Sequence, residues 1–95
     1  MAAYLIADLD IPDLSALADY RRRAAPVVAR HGGRAIIRLG AVSVLEGSWR
    51  PTSVMALEFP TMAALRGCYD GVEYRALLPM RQRVSRANVI AVEGI

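Results

Sequence analysis

Two periodicities alternate along the 95 residues, a short-range one that fits strands and a three-to-four-residue one that fits helices. Ala3-Tyr4-Leu5-Ile6-Ala7-Asp8-Leu9 is short and apolar and ends at the turn-forming Asp10-Ile11-Pro12-Asp13, which predicts a buried strand. Asp13 is placed to cap a helix in which Leu17, Ala18, Ala24, Ala25, Val27 and Val28 recur at helical spacing. His31-Gly32-Gly33 supplies the stop. Pro26 lacks a backbone donor, which predicts a kink or split near Arg22. Arg34–Leu39 reads as a second strand, continued past Gly40 by Val42–Glu46 and turned at Gly47-Ser48 into a third, Ser53–Phe59. Thr61 is the N-cap expected for a helix over Met62–Asp70. Asp70-Gly71 breaks it before a second helical stretch from Glu73 to about Arg86, with a kink expected at Pro79. Asn88–Glu93 closes the chain as a fourth strand. The order is β-α-β-β-α-β.

Successive strand residues point to opposite faces, so the strands sort into two sets. Leu5, Ala7, Leu9, Ala35, Ile37, Leu39, Met55, Leu57 and Phe59 carry no charge and predict the helix-covered face. Tyr4, Ile6, Asp8, Arg34, Ile36, Arg38, Val54, Ala56, Glu58, Ile90 and Val92 mix apolar bulk with charge. An open face of that kind would leave apolar side chains in water, which predicts burial against a second copy. Asp8, Arg38 and Glu58 would then be structural ion pairs or the polar fixtures of a cavity.

Composition narrows the picture. A chain that is 55% hydrophobic and 22% charged folds, and its length allows one domain, residues 1–95. No apolar run is long enough to span a bilayer and the start lacks the pattern of a signal peptide, so the expected location is cytoplasmic, with no membrane partner. Cys68 is the lone cysteine and reads as a small packed hydrophobe. The net charge of +3 rests on arginine without lysine, and Arg21-Arg22-Arg23 fans around a helix instead of forming a stripe. One histidine and one cysteine make no metal site, and no phosphate loop or dinucleotide fingerprint occurs. No metal or cofactor is expected.

The ordered set Tyr20, His31-Gly32-Gly33, Gly40, Leu45-Glu46-Gly47, Trp49, Pro51, Glu58-Phe59-Pro60, Ala64, Tyr69, Glu73-Tyr74, Arg81 and Val92-Glu93-Gly94 spans nearly the whole chain. With it the sequence resembles the small bacterial domain-of-unknown-function family 1330, within the dimeric α+β-barrel superfamily. The resemblance implies an α+β, ferredoxin-like βαββαβ sandwich, with two helices on one face of an antiparallel sheet and a homodimer, a dimeric α+β barrel, formed through the open sheet face. It implies no reaction. The wider superfamily holds cofactor-free quinone-forming monooxygenases, muconolactone isomerase-like enzymes and haem proteins. The chain departs from the family pattern at Gly71-Val72, where many members carry Ser or Asp then Pro, and at Cys68, where an aromatic is frequent.

Several side chains are candidates for chemistry. His31 is the usual type of general acid or base, although at a helix end it equally caps the last carbonyls. Tyr20 falls on the same helical flank as His31 and is a proton donor or a packed ring. Glu58 is a second candidate base. Arg81, on a stripe with Leu77, Leu78 and Val84, either holds an anion or snorkels to the surface. Arg38, Trp49, Tyr69 and Tyr74 are candidates for holding a substrate. Three functions compete: a cofactor-free enzyme on a small, partly aromatic metabolite, a non-catalytic small-molecule-binding or regulatory dimer, and an RNA binder. The last is disfavoured because the third strand offers Val54, Ala56 and Glu58 where bases would stack.

Overall fold

The computed structural model describes Met1–Ile95. Strand β1 (Ala3–Asp10) leads through a 3-10 turn (Leu14–Leu17) into helix α1 (Ala18–Arg30). Strands β2 (Arg34–Arg38) and β3 (Ser53–Phe59) follow, then α2 (Met62–Tyr69), α3 (Val72–Val84) and β4 (Arg86–Glu93). The sheet order is β2-β3-β1-β4 with every neighbouring pair antiparallel, and the three helices cover one side. The α+β ferredoxin-like architecture expected from the sequence is the one observed.

The predicted caps act as expected. The Asp13 carboxylate accepts from the Ser15 amide at 3.0 Å, and the Thr61 hydroxyl accepts from the Ala64 amide at 3.0 Å. Gly32 ends α1 at φ +79°, a left-handed conformation that suits glycine. Gly33 follows because a Cβ there would lie 2.6 Å from the Phe59 ring and 2.7 Å from Val28. Phe59 is among the most deeply buried side chains, and Ala3, Val27, Leu65, Cys68, Tyr74 and Leu78 pack around it. This core fills one end of the space between helices and sheet.

Four expectations are corrected. Pro26 does not split its helix: α1 runs through it without interruption, as α3 runs through Pro79. Both prolines lie on exposed helix sides, as do Arg22 and Arg75, the residues four earlier whose carbonyls lose a donor. The break near the start of α1 comes at Leu17, where the 3-10 turn gives way to α-helix. The second correction concerns Val42–Glu46, which form no strand. Leu39 turns the chain at φ 56° and residues 39–52 make an exposed loop.

The third correction has the largest consequence. A β-bulge between Ala35 and Ile37 inserts Ile36, so Ala35 lies opposite Leu57 while Ile37 lies opposite Ala56 and Arg38 opposite Met55. Simple alternation had assigned Ile37 to the helix side and Arg38 to the open side; the bulge exchanges them. The last correction is small: β4 begins at Arg86, two residues before the expected start. Its register pairs Ile90 with Ile6 and Val92 with Tyr4, which puts both on the open face as the sequence suggested.

Candidate functional site

Helix α1 packs on α3, while α2 is the helix that rests on β1, β3 and β4. Between α1 and the sheet lies a cavity of about 580 Å³, within the range of small-molecule sites. Its floor is Leu5, Ala7, Leu9, Met55 and Leu57 of the helix-covered sheet face, and its roof includes Ala24, Ala25 and Val28 of α1. Of 23 lining residues 18 are hydrophobic, and the charged ones are four arginines, Arg21, Arg34, Arg38 and Arg81. No Asp, Glu or His lines it.

One wall is polar. Tyr74, Leu78 and Arg81 fall at successive steps of four and three on the inward side of α3 and are all buried. Tyr20 comes across from α1, and its hydroxyl meets the Tyr74 hydroxyl at 2.7 Å with the rings edge-on. Tyr69 stacks against Tyr74 at 5.3 Å between centroids, and the Arg75 guanidinium covers Tyr69 at 5.1 Å. Burial, reinforced by Tyr74, pushes the Tyr20 hydroxyl well above the ordinary tyrosine pKa, and the Arg81 charge partly offsets it. Tyr20 is thus a hydrogen-bond donor that keeps its proton at neutral pH. Cys68 also lines the cavity, but burial first and Glu73 second push its thiol up, so it is not activated as a nucleophile.

The structure therefore groups Tyr20, Tyr69, Tyr74, Arg38 and Arg81 of the residues singled out in the sequence. Arg81 is only 7% exposed, so it does not snorkel. The other three lie elsewhere. Glu58 is on the open sheet face, where it accepts from Arg34 Nε at 2.9 Å and from the Tyr4 hydroxyl at 3.1 Å. These bonds, Arg34 foremost, hold its carboxyl below the usual range. Trp49, on the exposed loop, donates its indole N–H to Asp8 at 2.9 Å on the same open face. His31 shares a flank with Tyr20 but stands three turns away, about 16 Å along the axis. Its Nδ1 lies 2.9 Å from the Val27 carbonyl at the end of α1.

Arg21 and Arg34 line the cavity without having been singled out. For Arg21 the signal was present, because Leu17, Arg21, Ala24, Ala25 and Val28 form one helical stripe. The place of Arg34, beside the bulge on an edge strand, carries no such mark.

Residues 2–95 match the family profile described as a domain of unknown function, DUF1330. The chain belongs to the DUF1330 family. No curated protein matches it. Among solved structures, this DUF1330 protein is similar to RPA0582, a protein of unknown function from Rhodopseudomonas palustris: TM-score 0.77 and 21% identity, covering 99% of this chain and 82% of the other. It is similar also to SnoaB, a cofactor-independent oxygenase from Streptomyces nogalater: TM-score 0.69, 11% identity, 99% and 93% coverage. A dimeric ferredoxin-like protein of unknown function from Jannaschia sp. CCS1 aligns with TM-score 0.62, 16% identity and 99% and 100% coverage. At these identities the likeness is one of fold.

Proposed function

We propose that this DUF1330 protein is a homodimeric, cofactor-free enzyme that acts on a small, partly aromatic metabolite bound between α1 and the sheet. The observation that carries this reading is the cavity itself, apolar on most sides with tyrosine and arginine on one wall. Apolar lining with a few convergent polar groups is the usual make-up of a small-molecule site. The chemistry would be of monooxygenase or isomerase type. In the first case an electron-rich substrate supplies every electron, a ring CH2 and O2 giving C=O and water. Similarity in fold to SnoaB supports that class without specifying it. Tyr20 and Arg81 would be the groups at the reacting end, with Arg38, Tyr69 and Tyr74 holding the substrate.

The second copy would pack on the open face, where Ile36, Ile37, Ile90 and Val92 are exposed. Trp49 and Glu58 lie on that face and His31 at the end of α1, so any part they play is taken outside the cavity of a single protomer.

A non-catalytic binding function is favoured by one observation: the lining has no His, Asp or Glu to act as a base near neutral pH. Oxygen uptake and product mass with a polycyclic ketone bearing an acidic ring CH2 separate the two readings. Protein-dependent uptake that falls at least tenfold in Tyr20→Phe and Arg81→Met is the outcome expected for the enzyme. A compound that raises thermal stability and is recovered unchanged selects the binder.

A further inference from the structure

The charges of the chain are unevenly matched. Asp19 pairs with Arg22 and Arg23, Asp70 with Arg66 and Arg75, Glu73 with Arg30 and Glu58 with Arg34. Those pairs engage six arginines and leave Arg21, Arg38, Arg50, Arg81, Arg83 and Arg86 with no carboxylate at ion-pair distance. Three of these, Arg21, Arg38 and Arg81, line the same cavity, and of the three only Arg81 is buried. The fourth lining arginine, Arg34, has its guanidinium turned to Glu58 on the opposite sheet face.

Arg81 as a residue is only 7% exposed, and a cation held in so confined a place with no carboxylate at ion-pair distance carries a desolvation cost. The cost is offset when an anion is bound. Arg81 lies on the cavity wall next to Tyr20, and the Tyr20–Tyr74 hydroxyl pair has one proton free to donate after the 2.7 Å bond between them is made. The remaining walls are apolar and the outer arginines, Arg21 and Arg38, add only positive potential.

We propose that the ligand of this cavity is an amphipathic anion, a carboxylate or delocalised oxyanion on an aromatic body, whose charged end is bound by Arg81 and the Tyr20–Tyr74 hydroxyl pair. The inference rests on the cavity being the ligand site. It names the ligand's charge and the residues that read it. Its anchor is bidentate by the shape of guanidinium, so a planar carboxylate suits it better than a point charge.

Isothermal titration of 2-naphthoate against its uncharged counterpart, 2-naphthalenemethanol, tests it at pH 7. The expected result is at least tenfold tighter binding of the naphthoate, a preference lost in Arg81→Met and partly kept in Arg81→Lys, while the alcohol binds all three proteins alike. Tyr20→Phe weakens the naphthoate severalfold and leaves the alcohol unchanged. Equal binding of both compounds to the unaltered protein overturns the inference and leaves the cavity as a ligand site. Naphthoate preference that survives in Arg81→Met overturns the role of Arg81. Failure of both to bind removes the site and the inference together. The comparison of the two compounds on the unaltered protein decides the question even where Arg81→Met does not fold.

Discussion

The hydroxyls of Tyr20 and Tyr74 meet at 2.7 Å inside a wall that also holds Arg81, and this contact adds to burial in raising the pKa of the Tyr20 hydroxyl. Replacing Tyr20 by Phe removes one partner and leaves the Tyr74 hydroxyl without it, which costs about 1 kcal/mol by urea denaturation. The pH dependence has a definite sign. Burial raises Tyr20 above the ordinary value of 10.0, so the folded protein holds its proton more tightly than the unfolded chain does. The stabilisation is present in full below pH 10 and declines as pH rises above it, where the unfolded tyrosine ionises first. Denaturation midpoints measured from pH 8 to pH 11 should fall less steeply in Tyr20→Phe than in the unaltered protein. An identical slope in both would contradict the buried, protonated Tyr20. The sequence allowed this tyrosine either to pack with a wet hydroxyl or to face a pocket; its partner on α3 is 54 residues away, beyond the reach of periodicity.

At the scale of elements, the junction of α1 with β2 depends on Gly33. A methyl group there would press on Phe59 and Val28, and Phe59 is 1% exposed and has no room to retreat. Gly33→Ala should therefore destabilise by about 1–3 kcal/mol, and the melting temperature should drop by about 4–8 °C for each kcal/mol in a domain of this size. An unchanged melting temperature would mean that the two elements separate easily. Four strand positions and both caps were legible in the sequence, because alternation and capping chemistry are local. The bulge at Ile36 was not: an extra residue in an edge strand breaks alternation only through its pairing with β3, and one unpaired residue is enough to turn Arg38 toward the cavity. The strand expected over Val42–Glu46 failed for the converse reason. Its residues have β propensity but no neighbour to pair with, and they stay exposed.

The whole molecule is a slab of 33 × 33 × 16 Å, two layers thick, with 13 of 95 residues buried. A layer of helices covers one sheet face only, and Ile90 and Val92 on the other are 56% and 42% exposed. Exposed isoleucine and valine on a flat face are the reason for proposing a second copy there. Sedimentation of the purified protein should give a dimer, and Ile90→Glu should give a monomer with an unchanged far-ultraviolet spectrum, since a carboxylate would face the partner's apolar strands. A monomer in both proteins would refute the pairing. No helix is long and apolar enough to cross a membrane.

The order of strands and helices, the caps and the two faces of β1 and β3 were determined by the sequence alone, because each follows from contacts within a few residues or from strict alternation. The cavity, the burial of Arg81 and the turning of Arg38 toward it were decided only in three dimensions. They depend on how far α1 stands from the sheet, on which arginines find a carboxylate and on one inserted residue in β2, all of which are set by pairing between parts of the chain remote in sequence.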